Sequence, residues 1–294
     1  MLFDIRPAHL FFHVQDRIHA AWFFKDVLGL TVCRHEEYKL PHSTACPEPL
    51  DDQFCKTSYA FGPENTHFAF QQLHNYNDPS RSNYGNDFIG MKIRSLEAIA
   101  RAKAIGIEGY EDSDDTFVIK GKSGRSYYLV DHSEHSAPDP YFEEMIHVVD
   151  IGETIHYWHK VMGVDIIDLK NDQFSLFFCN GSPRLTFIKG AEQLVRSPAH
   201  LGFVMPRAQL EQLSVLMSRS GTVVHQPYCK VDYEGRNSDY LVILKDPSGY
   251  YQYFHDVESF NTLSKFDPKA EARLKISILR ERKVLKQKAQ NRPI

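Results

Sequence analysis

Two segments of this chain repeat each other at a constant offset. His13, Asp16, Phe24 and Gly29 recur as His147, Asp150, Trp158 and Gly163, each 134 residues further on. In each copy an apolar strand runs through an Asp cap into a short helix. Each helix carries two adjacent aromatics (Phe23-Phe24, Tyr157-Trp158) and stops at Gly. A repeat of this length implies two copies of a domain, with any site lying between similar halves.

Each half divides again. His9–Val14, a helix ending at Gly29, Leu30–Tyr38, Thr57–Phe61 and His67–Gln71 read as strand, helix, strand, strand, strand. The same order follows in Phe88–Arg94, Leu96–Ile105, a short strand near Gly109, Phe117–Ile119 and Ser126–Val130. It returns from Glu143 to Ile188 and again from Leu201 to Phe254. The stretch Lys39–Lys56, with three prolines, reads as a long loop. The best linker lies at 135–140, within Ser133–Pro140.

Composition narrows the class. A chain of 294 residues with 20 Phe and 15 Tyr can fill two cores. No apolar run is long enough to span a membrane, and the N-terminus has no signal pattern. Five sparsely spaced cysteines read as reduced thiols. A cytoplasmic address is therefore expected, with mitochondrial association left open. The net charge of −4 hides a basic tail: Lys265–Ile294 holds ten Lys/Arg against three Asp/Glu. Leu274, Ile278 and Leu285 fit one helical face there, so the expectation is a partly helical, solvated tail open to a protein partner. An acidic body with one basic end argues against a nucleic-acid-binding domain.

Four such modules, with the segment Trp22-Phe23-Phe24-Lys25-Asp26-Val27-Leu28-Gly29-Leu30, resemble the vicinal oxygen chelate (VOC) superfamily, the glyoxalase I fold, over about residues 8 to 262. Arg34-His35-Glu36-Glu37, Phe61-Gly62-Pro63-Glu64 and Gly85-Asn86-Asp87-Phe88 narrow the resemblance within it. The resemblance implies an α+β fold: four βαβββ modules in two tandem glyoxalase-like domains, with curved mixed sheets enclosing clefts. The divisions are a first domain at 1–134, a linker at 135–140, a second domain at 141–262 and the tail at 263–294.

The resemblance also implies a divalent metal, such as zinc or nickel, with glutathione as a co-substrate. In the family each cleft takes a His or Gln and a Glu from one module, and a His and a Glu from its partner. By position these are His9 and Gln71 in the first module, and Gly90 and Tyr128 in the second. The third supplies Glu143 and Thr186, and the fourth His200 and Tyr253. Pairing neighbouring modules gives the sets His9-Gln71-Gly90-Tyr128 and Glu143-Thr186-His200-Tyr253. Pairing first with fourth gives His9-Gln71-His200-Tyr253 and leaves Glu143-Thr186-Gly90-Tyr128. Only the second arrangement gathers both histidines and the amide. The candidate metal ligands are thus His9, Gln71 and His200, with Tyr128, Glu143, Thr186 and Tyr253 as cleft-lining residues.

Isomerisation of the glyoxalase type needs a Lewis-acid metal and a carboxylate that moves a proton. A phenol titrating near 10 is a poor substitute at neutral pH, so no residue is assigned as base. The leading expectation is a glyoxalase-like protein of methylglyoxal and glutathione-conjugate metabolism, lactoylglutathione-lyase-like if active, with a degenerate metal site. The alternative is a VOC protein that binds a small molecule without catalysis. Either form suits a monomer or a homodimer. A zinc clip from His35, His42, Cys46 and Cys55 matches no common finger spacing.

Overall fold

A computed structural model describes residues 2–39, 53–77, 85–113, 115–121, 124–131, 139–190, 194–233 and 237–290. His42, Cys46 and most of the 135–140 linker lie outside the described residues.

The first module comprises β1 (Arg6–His13), α1 (Arg17–Trp22), β2 (Thr31–Tyr38), β3 (Phe54–Ala60) and β4 (Ala69–Asn75). The second comprises β5 (Phe88–Arg94), α2 (Leu96–Ala104), β6 (Gly109–Ser113), β7 (Thr116–Lys120) and β8 (Ser126–Val130). The third is β9 (Tyr141–Val148), α3 (Ile151–Ile155), β10 (Asp165–Ile167), β11 (Gln173–Phe177) and β12 (Arg184–Lys189). The fourth is β13 (Ala199–Met205), α4 (Arg207–Arg219), β14 (Val223–Val231), β15 (Asp239–Lys245) and β16 (Tyr251–Asp256). Two further helices follow, α5 (Val257–Leu263) and α6 (Ala270–Gln290).

The repeat-related helices share their local chemistry. Asp16 accepts from the His19 N–H and Asp150 from the Glu153 N–H, so each Asp satisfies a donor of the first turn. Both helices then widen into a π turn, Phe23–Val27 and His156–Val161. Both end at a glycine with positive φ, Gly29 at 85° and Gly163 at 71°, a conformation that costs glycine least.

The modules assemble in crossed pairs. One eight-stranded sheet runs β14-β15-β16-β13-β1-β4-β3-β2 and so joins the first module to the fourth. The other runs β10-β11-β12-β9-β5-β8-β7-β6 and joins the second to the third. Each sheet therefore takes one module from either side of the linker. The seams are the antiparallel pairs β1–β13 and β5–β9, while each module closes internally on a parallel pair such as β1–β4 or β13–β16.

A single core joins the two sheets. One face of each turns toward the other, with the repeat-related helices between. Phe24 of the first helix meets Tyr59 and Phe70 of the first sheet and Tyr127 of the second. Trp158, fully buried, meets Phe187 of the second sheet and Phe203 of the first. The opposite face of each sheet is left to build a site.

The tail departs from expectation. It is a 21-residue helix whose first half is docked on the first module, while residues 282–287 are exposed. Ala270 and Leu274 are buried, Ile278 is half-buried, and Leu285 alone of the expected stripe is exposed. A polar cluster fixes it. Arg17 Nε donates to Glu281 at 2.8 Å, and Arg17 Nη1 donates to Ser277 at 2.9 Å. Ser277 also donates to Glu37. Residues 54–56, expected in a loop, open β3, where they pair with β4.

Candidate functional site

Strand alternation decides which residues can meet. Across the β1–β13 seam His9 opposes Gly202 and Phe11 opposes His200. On the flanks, Gln71 lies beside Phe11 and Tyr253 beside Gly202. The register is two-fold symmetric: His9 corresponds to His200, and Gln71 to Tyr253. Crossed pairing thus gathers His9, Gln71, His200 and Tyr253 on one face of the first sheet, and all four are buried.

Glycine makes this approach feasible. A Cβ at Gly202 would collide with the His9 ring, so the ring lies directly over the bare backbone. Phe260 of α5 stacks on the other side, parallel within 3° at 6.0 Å between centroids. His200 is held between Phe11, at 4.5 Å, and Tyr253, at 3.9 Å.

His255, which from sequence alone reads as a solvated residue at the end of the last strand, is a buried site residue two positions beyond Tyr253 on the same strand face. Its ring centroid lies 5.5 Å from that of His9, close to the 5.8 Å separating His9 from His200. His255 Nδ1 meets Asp239 at 2.7 Å. Burial, reinforced by the fields of His255 and His200, drives the His9 pKa well below its ordinary value, so the ring stays neutral. Among the described residues, His9 Nδ1 and His255 Nε2 are buried without a hydrogen-bond partner.

These residues do not fit a catalytic divalent metal. Among the described residues no group of three or more His, Cys, Asp or Glu side chains is arranged to hold one. Gln71 offers a neutral amide. Tyr253 offers a phenol already stacked on His200, and the Asp239 carboxylate is engaged with His255.

The second sheet collects the other set. Gly90 opposes Met145 and Lys92 opposes Glu143, with Thr186 beside Met145 and Tyr128 beside Lys92. Glu143 is the one carboxylate among the four expected positions. It accepts from Thr186 at 2.6 Å and from Arg184 at 2.7 Å, and Lys92 Nζ lies 3.1 Å away. Burial opposes its charge, yet Thr186, Lys92 and Arg184 together hold its pKa below the usual carboxylate range. Thr186 also meets Ser175 at 2.8 Å. Lys92, Arg94, Tyr128 and Arg184 are half-buried, so this face is polar and reachable, its three cations set against Glu143 and the exposed Asp168, which Arg184 also meets at 3.0 Å.

Of the loop set His35, His42, Cys46 and Cys55, only His35 and Cys55 lie within the described residues. His35 bonds Thr57 and Glu37, and Cys55 accepts from Arg17 at 3.3 Å. Both belong to the cluster under α6.

Paired modules in two composite sheets, with the four-position register preserved at each seam, define a protein of the glyoxalase fold. Glyoxalase I from Zea mays superposes with a TM-score of 0.69 at 18% identity, covering 88% of this chain and 95% of that one. A putative dioxygenase from Bacillus subtilis gives 0.65 at 9% identity, covering 90% and 89%. Such low identities speak for the fold alone. Sequence is more specific. A family model described as glyoxalase domain-containing protein 4-like, C-terminal domain, matches residues 150–263. Glyoxalase domain-containing protein 4 of Mus musculus is 31% identical over 268 residues, covering 90% of this chain and 89% of the relative. Glyoxalase 1 of Caenorhabditis elegans is 25% identical over 279 residues, covering 94% and 97%. The chain belongs to the glyoxalase domain-containing protein 4 family.

Proposed function

We propose that this chain is a small-molecule-binding member of the glyoxalase fold whose isomerase centre has been dismantled. One observation carries the reading: the four positions that share the histidine face hold His9, Gln71, His200 and Tyr253, without a carboxylate. Proton transfer between adjacent carbons needs a base within hydrogen-bond reach. Neither an amide nor a phenol packed against an imidazole supplies one. The carboxylate retained on the other sheet, Glu143, is committed to Arg184, Lys92 and Thr186.

Binding remains. The face bearing Lys92, Arg184 and Tyr128 suits an anionic small molecule, and a glutathione conjugate is the class we favour. The four described cysteines are free thiols, as suits a reducing compartment such as the cytoplasm.

The rival reading is a lactoylglutathione-lyase-like enzyme of methylglyoxal detoxification. It draws on the third imidazole, His255, and on the name of the nematode relative. One experiment separates the two. The full chain is loaded with zinc, nickel or cobalt, dialysed, and assayed for metal content and for lactoylglutathione formation. It is also melted with and without S-lactoylglutathione. We expect substoichiometric metal, no turnover, and a rise in Tm with the thioester that Arg184→Met abolishes. Stoichiometric metal with turnover refutes the binding reading. No Tm response at any thioester concentration refutes the conjugate.

A further inference from the structure

A second cavity lies away from both of these faces. It is a cleft of ≈ 390 Å³ between the two sheets, walled by Phe12, Trp22, Phe23, Phe88, Ile119 and Tyr127. Its volume falls within the range of small-molecule sites. Phe12 comes from the first sheet, Phe88, Ile119 and Tyr127 from the second, and Trp22 and Phe23 from the first helix and its π turn. The cleft therefore exists only because the modules cross.

Of the charged and polar residues that also line it, Asp16, Glu108 and Lys120 are exposed, His19 and Ser197 are half-buried, and His13, Gln72 and Arg125 are buried. Arg125 is 6% exposed, and its guanidinium carbon sits 4.8 Å from the Phe12 ring centre and 5.2 Å from that of Phe88. An arginine this buried ordinarily has a carboxylate partner. Arg125 has none among the described residues, and its Nη1 is buried without a hydrogen bond. Gln72, 3% exposed, enters from β4, and its Nε2 is likewise buried and unpartnered. Leaving such donors unsatisfied is costly, and a guanidinium more so than an amide. Glu144 lies within the field of Arg125, but it accepts its hydrogen bond from the Tyr141 hydroxyl. Burial lifts its pKa to about 7, so it is a weak counter-ion.

Apolar and aromatic walls around a cation and an amide donor, both lacking an acceptor, define a complementary ligand. We propose that the inter-sheet cleft binds a small aromatic carboxylate, its ring among Phe12, Phe23 and Phe88 and its carboxylate on Arg125 and Gln72. The guanidinium sits close to both the Phe12 and Phe88 rings, and its unpartnered Nη1 is left for a carboxylate oxygen. Nothing in this site depends on the metal positions or on the Lys92–Arg184 face.

The test uses the full chain and 1-naphthylacetate, with 1-naphthylacetamide as a neutral control of the same shape. Binding is followed by calorimetry and by protein-detected NMR shifts. The acid is expected to saturate one site and to bind about tenfold or more tighter than the amide. Arg125→Met keeps the side-chain stem and removes the charge, and it should erase that preference. Should Arg125→Met not fold, Ala20→Phe fills the cleft from the first helix and should abolish binding of both compounds. The proposal is overturned if the acid does not saturate, if acid and amide bind equally to the parent, or if binding survives Ala20→Phe. S-Lactoylglutathione binding at the Arg184 face should be unchanged by Ala20→Phe, so failure here does not count against the functional reading.

Discussion

Substituting Gly202 tests the geometry of the histidine face directly. An added Cβ falls about 1.5 Å short of the ~3.5 Å at which two carbons normally touch, with the His9 ring as the obstacle. The ring cannot slide away cheaply, because Phe260 stacks on its far side and His200 and His255 flank it. The strands cannot part cheaply either, since position 202 is paired on both sides. Overpacking of this kind costs about 1–3 kcal/mol. For a chain of this size that is a fall in Tm of roughly 2–6 °C. His9→Ala removes the obstacle, so Gly202→Ala in that background should cost under about 0.5 kcal/mol. Four proteins then form a double-mutant cycle, read by calorimetric melting with urea unfolding as a check. A coupling of about 1 kcal/mol or more is expected. Equal cost of Gly202→Ala with and without His9 would refute the placement of the imidazole over the glycine.

Docking of α6 predicts that Leu274→Ala costs about 2–4 kcal/mol and that limited proteolysis then releases the helix, where the parent resists. Glu281→Gln, which weakens the hold on buried Arg17, should give the same cleavage pattern more mildly. Asp246 is buried, and burial lifts its pKa to about 7. Its folded value lies above its unfolded one, so its ionisation costs stability progressively as pH rises from about 4 through 7. Asp246→Asn keeps an acceptor for the Tyr250 N–H and should gain about 2–4 kcal/mol relative to the parent at pH 8, vanishing near pH 4; melting curves across that range decide it, and a pH-independent difference counts against it. Burial raises the thiol pKa values of Cys33 to about 12 and Cys55 to about 11. Both should resist iodoacetamide at pH 8 in the native protein and react only on unfolding, as peptide mapping would read.

Module count and strand order were legible because each rests on local chemistry. Phe88–Arg94 and Ser126–Val130 are apolar runs between turn residues, and both are strands to the residue. The Asp caps and the terminal glycines mark the repeat-related helices for the same reason. The crossed pairing was not legible, since strand alternation fixes which face a residue takes but not which edge strand its module meets. A missed signal lay in Asp256: it caps α5 by accepting from the Ser259 N–H, the same arrangement as Asp16 and Asp150. Recognising that helix would have placed Phe260 over the histidines. His255 was legible as a strand-end residue, but no local signal marked it as buried beside His9. The inter-sheet cleft had no local mark, because Phe12 and Arg125 lie far apart in sequence and share no motif.

On the function proposed above, the two outward faces hold different parts of one chemistry, and the crossing keeps those parts from meeting. The first sheet keeps two imidazoles at family positions and gains a third, but holds an amide and a phenol where acids are expected. The second sheet keeps an acid, Glu143, but holds a glycine where an imidazole is expected. Had neighbouring modules paired, His200 and Glu143 would share a face. Instead they belong to different sheets whose common core lies between them, so no rotamer change brings the retained acid to the retained histidines. Each remnant has also been absorbed locally. Glu143 is ion-paired with Lys92 and Arg184, while His9 is kept neutral by burial beneath Phe260. Removing Phe260 should therefore uncover His9 without creating an isomerase. Phe260→Ala is expected to raise the His9 pKa toward its ordinary value, seen by imidazole NMR titration, while lactoylglutathione formation stays at background with or without added metal. Turnover appearing in that variant would mean that the helix, and not the missing carboxylate, is what silences this face.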